Sequence, residues 1–150
     1  MSPDLPPPPP ALLSQRAAAP APPADPLVGR QGFLGQINWT PPPAGGRRPL
    51  VAILDTGVDA ADPDLRDVVV AGAARSFVAG RDPLEDSSGH GTHLAGIVAA
   101  ASGNGVGGAG VASARILPVT IAGGDGRATT SALVRGLRYA TARGARVVNI

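Results

Sequence analysis

Three short apolar runs alternate with two stretches of helical periodicity from residue 50 onward. Leu50-Val51-Ala52-Ile53-Leu54 is unbroken and β-favouring, which predicts a strand buried on both faces as in a parallel sheet, and it ends at Asp55-Thr56-Gly57. Residues 59–67, with Pro63, read as a polar turn region, and residues 68–70 as a short added strand. In residues 90–101, Leu94, Ile97 and Val98 recur at helical spacing beside a small-residue face of Ala95, Gly96, Ala99 and Ala100 that allows close approach to a sheet. Residues 115–121 predict a second main strand. Thr129-Thr130-Ser131 predicts the cap of a second helix, with Leu133, Val134, Leu137 and Ala140 inward, Arg135, Arg138 and Arg143 outward, and Gly144 as its stop. Residues 146–150 begin a third strand. Strand–helix–strand–helix–strand without hairpin signals predicts an α/β fold, a parallel sheet flanked by helices, and a domain of this kind is expected to continue beyond Ile150.

Composition changes the picture mainly at the start. Residues 1–26 are mostly Pro and Ala, with few large apolar groups, and read as a disordered or polyproline-like arm preceding a domain over residues 27–150. Residues 28–39 read as an irregular lead-in and residues 41–48 as a Pro- and Gly-rich loop. Aromatic content is 3%, so the core must be built from small aliphatic side chains. All 13 basic residues are Arg, set singly along the chain apart from Arg47-Arg48, and the net charge is only +2, a pattern that does not predict a nucleic-acid face. Without Cys there is no disulfide or thiol chemistry. Ala11-Leu12-Leu13 is too short for a signal sequence core or a membrane span.

The chemistry concentrates in two strings. Asp55 ends an apolar strand, and His90, in Gly89-His90-Gly91-Thr92-His93, opens an apolar helix. In a parallel sheet both positions open onto one crevice. An Asp beside a His fixes the imidazole tautomer and stabilises the imidazolium formed when the ring removes a proton, so the pair predicts a general base awaiting a serine. Other readings stand beside it. Asp55 is also a turn carboxylate in form, and apolar-apolar-Asp-Thr-Gly is a signature of aspartic proteases, which need a hairpin context and a second carboxylate. His90 and His93 form a candidate metal pair with Asp86 or Asp55, although His93 reads better as an inward, hydrogen-bonded structural residue. Gly103-Asn104-Gly105-Val106-Gly107-Gly108 matches a dinucleotide-binding pattern but follows a helix and precedes a strand, the wrong context.

Val51-Ala52-Ile53-Leu54-Asp55-Thr56-Gly57-Val58-Asp59, Pro63-Asp64-Leu65 and Gly89-His90-Gly91-Thr92-His93-Leu94-Ala95-Gly96 together resemble the subtilisin-like serine protease family, and Gln36-Ile37-Asn38-Trp39 resembles the segment just upstream of its first catalytic strand. The resemblance implies a three-layer α/β fold over residues 27–150, with Asp55 and His90 as the first two members of an Asp–His–Ser triad. It places Gly124, Gly126, Arg127 and Ala128 on an exposed edge that pairs with substrate backbone. Residues 146–150 resemble the strand leading to the far wall of the specificity pocket. Asp64 matches a calcium ligand of the family, and Asn104 lies in the loop before Gly110-Val111-Ala112, which resembles the segment following its calcium loop. Calcium is thus a candidate structural ion, with no cofactor required for the reaction.

The expected function is endopeptidase cleavage of protein or peptide substrates. The oxyanion Asn and the Gly-Thr-Ser nucleophile motif are expected beyond Ile150, so these 150 residues are expected to be inactive alone. The family implies a secreted or cell-envelope setting, although the Pro/Ala arm resembles neither a signal peptide nor an inhibitory pro-domain. The alternatives are a non-catalytic peptide-binding remnant and an aspartic-type protease using Asp55.

Overall fold

Along Leu50–Asp55 every residue is buried, and successive side chains enter different cores. Val51 and Ile53 pack with Val58, Leu65, Ala95, Ala99 and Ile116, whereas Leu50, Ala52 and Leu54 pack with Leu117, Val119, Ile121, Ala132 and Ala140. This period-two division makes the strand the middle layer of a three-layer sandwich. A computed structural model describes residues 24–42 and 46–150. Its regular elements are α1 (Gly32–Gln36), β1 (Leu50–Asp55), β2 (Arg75–Ser76), α2 (His90–Ala99), β3 (Arg115–Thr120), α3 (Thr130–Ala142) and β4 (Val147–Asn149), with single 3-10 turns at Val28–Arg30 and Ala71–Ala73. The sheet runs β2-β3-β1-β4 and every pairing is parallel. Helix α2 covers one face and α3 the other. The α/β architecture is therefore the expected one.

β3 contains Pro118, which lacks an N–H, although the strand has neighbours on both sides. Ile116 and Thr120 bond toward the β2 side, through Ile116 N–H to Val68 O, Val70 N–H to Ile116 O and Phe77 N–H to Thr120 O. Alternation turns Pro118 to the same side, where the neighbouring chain coils into the Ala71–Ala73 turn and offers no strand to pair. The expected strand at residues 68–70 reduces to an isolated bridge between Val69 and Ile116, and β2, two residues long and without apolar periodicity, had no sequence signal.

Both helices touch the sheet through small residues four apart: Gly91, Ala95 and Ala99 in α2, and Ala132, Gly136 and Ala140 in α3. Two expectations are corrected by this geometry. Val134, expected inward, is 41% exposed because it lies two residues, about 200° of rotation, from Ala132 and Gly136. His93 is exposed for the same reason relative to Gly91 and Ala95, and makes no side-chain hydrogen bond among the described residues. The Thr129 hydroxyl accepts the Ala132 N–H at 3.1 Å, the cap that the sequence predicts.

The lead-in is tied to the loop after α2. Gln31 brackets Ala109, its Nε2 donating to Ala109 O at 2.9 Å and its Oε1 accepting Ala109 N–H at 2.8 Å. Trp39 Nε1 donates to Val111 O at 3.3 Å. Asp25, assigned by composition to the arm, accepts the N–H groups of Gly103, Asn104 and Gly105 at 2.6, 2.9 and 3.0 Å. The Gly-rich loop that mimics a phosphate-binding pattern thus cradles a carboxylate of its own chain. Residues 1–23 of the arm lie outside the described residues.

A Cβ on Gly136 would lie 2.8 Å from Ile121 Cγ2 and 3.3 Å from both Leu54 Cδ2 and Val119 Cγ1. Gly136→Val is therefore expected to push α3 off the sheet and lower stability by about 1–3 kcal/mol, read as a lower urea midpoint. An unchanged midpoint would contradict the tight α3 packing.

Candidate active site

Asp55 is the last residue of β1 and His90 the first of α2, and both lie at the carboxyl end of the sheet. Their approach depends on Gly91: a Cβ there would meet Gly57 O at 2.1 Å and Asp55 Cβ at 3.0 Å, so only glycine lets α2 start against the end of β1. The first turn of α2 is then fastened by side chains. Thr56 Oγ1 accepts the Gly91 N–H at 3.2 Å and donates to Asp86 Oδ1 at 2.8 Å. Asp86 Oδ2 accepts the Thr92 N–H at 2.9 Å and the Thr92 hydroxyl at 2.8 Å. A carboxylate over the free N–H groups of a helix N-terminus is favoured by both hydrogen bonding and the helix dipole. Burial pushes the Asp86 carboxyl up, but the hydrogen bonds from Thr92 and Thr56 outweigh it and hold the group below its ordinary value.

Within this frame His90 Nδ1 lies 2.8 Å from Asp55 Oδ1. The same oxygen accepts the Thr56 N–H at 2.7 Å. A carboxylate can only accept, so Nδ1 carries the hydrogen and Nε2 is left as the basic atom. The Asp55 side chain is 10% exposed and that of His90 is 63% exposed, a sheltered anion beside an accessible ring. Hydrogen bonding to Asp55, reinforced by its charge, raises the His90 pKa above the ordinary histidine value, with desolvation opposing and the Asp86 charge adding.

The pair opens onto a cleft of about 490 Å³, whose wall includes Ser88, Gly124, Gly126 and Ala128. Of the substrate-edge candidates, Gly124, Gly126 and Ala128 line this cleft. Arg127 stands outside its wall, its side chain 90% exposed and its Nε 3.9 Å from Asp125 Oδ2. The segment is a closed turn, with Ala122 and Ala128 bridged antiparallel and Gly123 N–H bonded to Arg127 O at 3.0 Å.

Asp64 and Asn104 also meet, but as hydrogen-bond partners. Asn104 Nδ2 donates to Asp64 Oδ1 at 2.8 Å, Gly108 N–H to Asp64 Oδ2 at 3.0 Å, and Asn104 Oδ1 accepts Val106 N–H at 2.8 Å. The two carboxylate oxygens of Asp64 and the amide oxygen of Asn104 thus each accept an N–H of the same loop. Among the described residues no three His, Cys, Asp or Glu side chains converge as a metal site, His90 and His93 included. Sequence reasoning overlooked Thr56 and gave Asp86 only a metal role. The available signal was an acid a few residues ahead of a helix start, with Thr two positions inside it.

The raised His90 pKa has a sign that can be checked. Such a group contributes stability that is fully present below its unfolded pKa and is lost as pH rises through the folded pKa. Asp55→Asn is therefore expected to lower the His90 pKa in an NMR titration, and to destabilise the chain more at about pH 5 than at about pH 9. An unchanged titration would separate the two side chains in solution.

Comparison with known proteins shows the family. The profile of the Subtilase family matches residues 46–150. Over 108 residues the chain is 41% identical to Thermitase of Thermoactinomyces vulgaris, covering 71% of this chain and 38% of that protein. It is 44% identical over 101 residues to Subtilisin BL of Lederbergia lenta, covering 67% and 35%. It is 40% identical over 102 residues to the Cell wall-associated protease of Bacillus subtilis (strain 168), covering 67% and 11%. The chain thus spans well under half the length of these relatives, and over the matched residues it belongs to the subtilase family.

Proposed function

We propose that this chain supplies the Asp–His half of a serine-type endopeptidase of the subtilisin kind. The observation that carries the reading is the 2.8 Å contact between His90 Nδ1 and Asp55 Oδ1 at the rim of an open cleft. His90 Nε2 takes the proton from a serine hydroxyl as its oxygen attacks the scissile carbonyl, Asp55 stabilises the resulting imidazolium, and the ring returns the proton to the leaving amine. No described Ser hydroxyl bonds to His90, so the nucleophile is assigned to a serine outside the described residues. Substrate is a protein or peptide strand lying against Gly124, Gly126 and Ala128, recognised through its main chain. Arg127, beyond the cleft wall and close to Asp125, biases acidic residues only weakly. The aspartic alternative requires a carboxylate sharing a proton with Asp55, and the partner there is an imidazole. No ion enters the reaction scheme. Kinship with a cell wall-associated protease supports an extracytoplasmic setting. No described helix is long and apolar enough to cross a membrane.

The test uses the complete gene product. It is expected to cleave casein and to react with a fluorophosphonate, and Asp55→Ala or His90→Ala is expected to reduce turnover on the order of 10⁴–10⁶-fold. Residues 1–150 alone are expected to show no cleavage above an Asp55→Ala, His90→Ala background. Peptide binding without cleavage by the complete product would establish the remnant reading instead. Inhibition by a carboxylate-directed reagent but not by fluorophosphonate would revive the aspartic one.

A further inference from the structure

At the amino ends of the strands, opposite Asp55, the fold gathers arginines that the sequence keeps apart. Arg47, Arg48, Arg115, Arg143 and Arg146 line one cleft of about 380 Å³ together with Pro49, Leu50 and Gly144. Strand register accounts for the meeting. Arg115 pairs with Leu50 across β1–β3, and Arg146 N–H bonds to Leu50 O on the other side at 2.8 Å. Neighbouring strands lie about 4.8 Å apart, so these two arginines flank one β1 residue at about 10 Å separation. Arg143 arrives from the end of α3, and Arg47 and Arg48 from the loop entering β1.

Among the described residues nothing neutralises this cluster. Residues 26–54 and 126–150, which contribute four of the five arginines, contain no Asp or Glu. The ion pairs among the described residues are His90–Asp55 and Arg127–Asp125, and the one Asp or Glu outside them is Asp4. Two guanidinium groups are also held in place. Arg48 Nη2 donates to Ala114 O at 2.9 Å. Arg143 Nε donates to Tyr139 Oη at 3.0 Å, with the guanidinium 5.3 Å from that ring's centre, and Tyr139 Oη donates to Ala73 O at 2.7 Å. Anchored planar forks with spare N–H groups suit bidentate recognition of phosphate-type oxygens. No aromatic ring lines the cleft, so nucleic-acid bases would have no stacking platform there. The volume suits a small molecule.

We propose that this arginine-lined cleft is a binding site for a small multivalent oxyanion of the pyrophosphate or phosphomonoester class, separate from the Asp55–His90 cleft and independent of its chemistry. Inorganic pyrophosphate titrated into the ¹⁵N-labelled chain is expected to give saturable shifts at the Nε–Hε signals of Arg115, Arg143 and Arg146 and at the Gly144 amide, with none at Arg127 or Arg135. Arg115→Gln and Arg146→Gln, both at exposed positions, are each expected to weaken binding about tenfold, whereas Arg127→Gln leaves it unchanged. An unshifted spectrum at His90 and Gly91 reports that each variant is folded. Non-saturating shifts shared by all arginines would show only a diffuse ion atmosphere and overturn the proposal. A short DNA duplex binding the same signals more tightly than pyrophosphate would overturn it in favour of a nucleic-acid face.

Discussion

The start of α2 can touch the end of β1 only because position 91 carries no side chain, and the geometry of the carboxyl end of the sheet follows from that contact. The carboxylate is fixed by a strand buried on both faces, and the imidazole by a helix whose first turn is tied down through Thr56, Asp86 and Thr92. Each support is modest alone, since a hydrogen bond contributes about 0.5–1.5 kcal/mol net and somewhat more when one partner is charged. Together they place a hydrogen-bond donor within 2.8 Å of its acceptor while leaving the ring accessible. The close-packed layers beneath limit how far either element can shift.

The parts of this arrangement legible in the sequence are those that repeat or that carry rare chemistry. β1 announced itself through five consecutive apolar residues, and α3 through its cap and periodicity. Asp55 and His90 were legible because strand ends and helix starts converge in parallel sheets. What escaped was set by distant packing. β2 exists because Thr120 O offers an acceptor to Phe77, which nothing in Arg75-Ser76 foretells. The exposure of Val134 and His93 follows from helices that bury their smallest residues, whereas hydrophobicity alone favours the largest. Asp25 reads as part of a Pro/Ala tract until a loop almost eighty residues away is folded beside it.

Charge shows the same contrast between linear order and folded position. Along the chain the arginines look evenly spread, and by count they nearly balance the acids. In space five arginines crowd one cleft at the amino end of the sheet, while Asp55 and Asp86 lie at the carboxyl end with Arg81 beside Thr56. A net charge of +2 therefore conceals a local concentration of positive charge.

The all-parallel sheet has a further consequence, which concerns the order of assembly. β1 pairs with β3 sixty-five residues later and with β4 ninety-six residues later, as Leu50↔Arg115 and Val51↔Val147 show. The most apolar strand is thus the first to be made and the last to be fully covered. Closing such long loops before any pairing is gained makes folding slow, and until then β1 presents two apolar faces and two open edges to other chains. For this architecture the hazard lies in the interval before the native state, when the strand that will bear Asp55 is also the segment most prone to associate with its own copies.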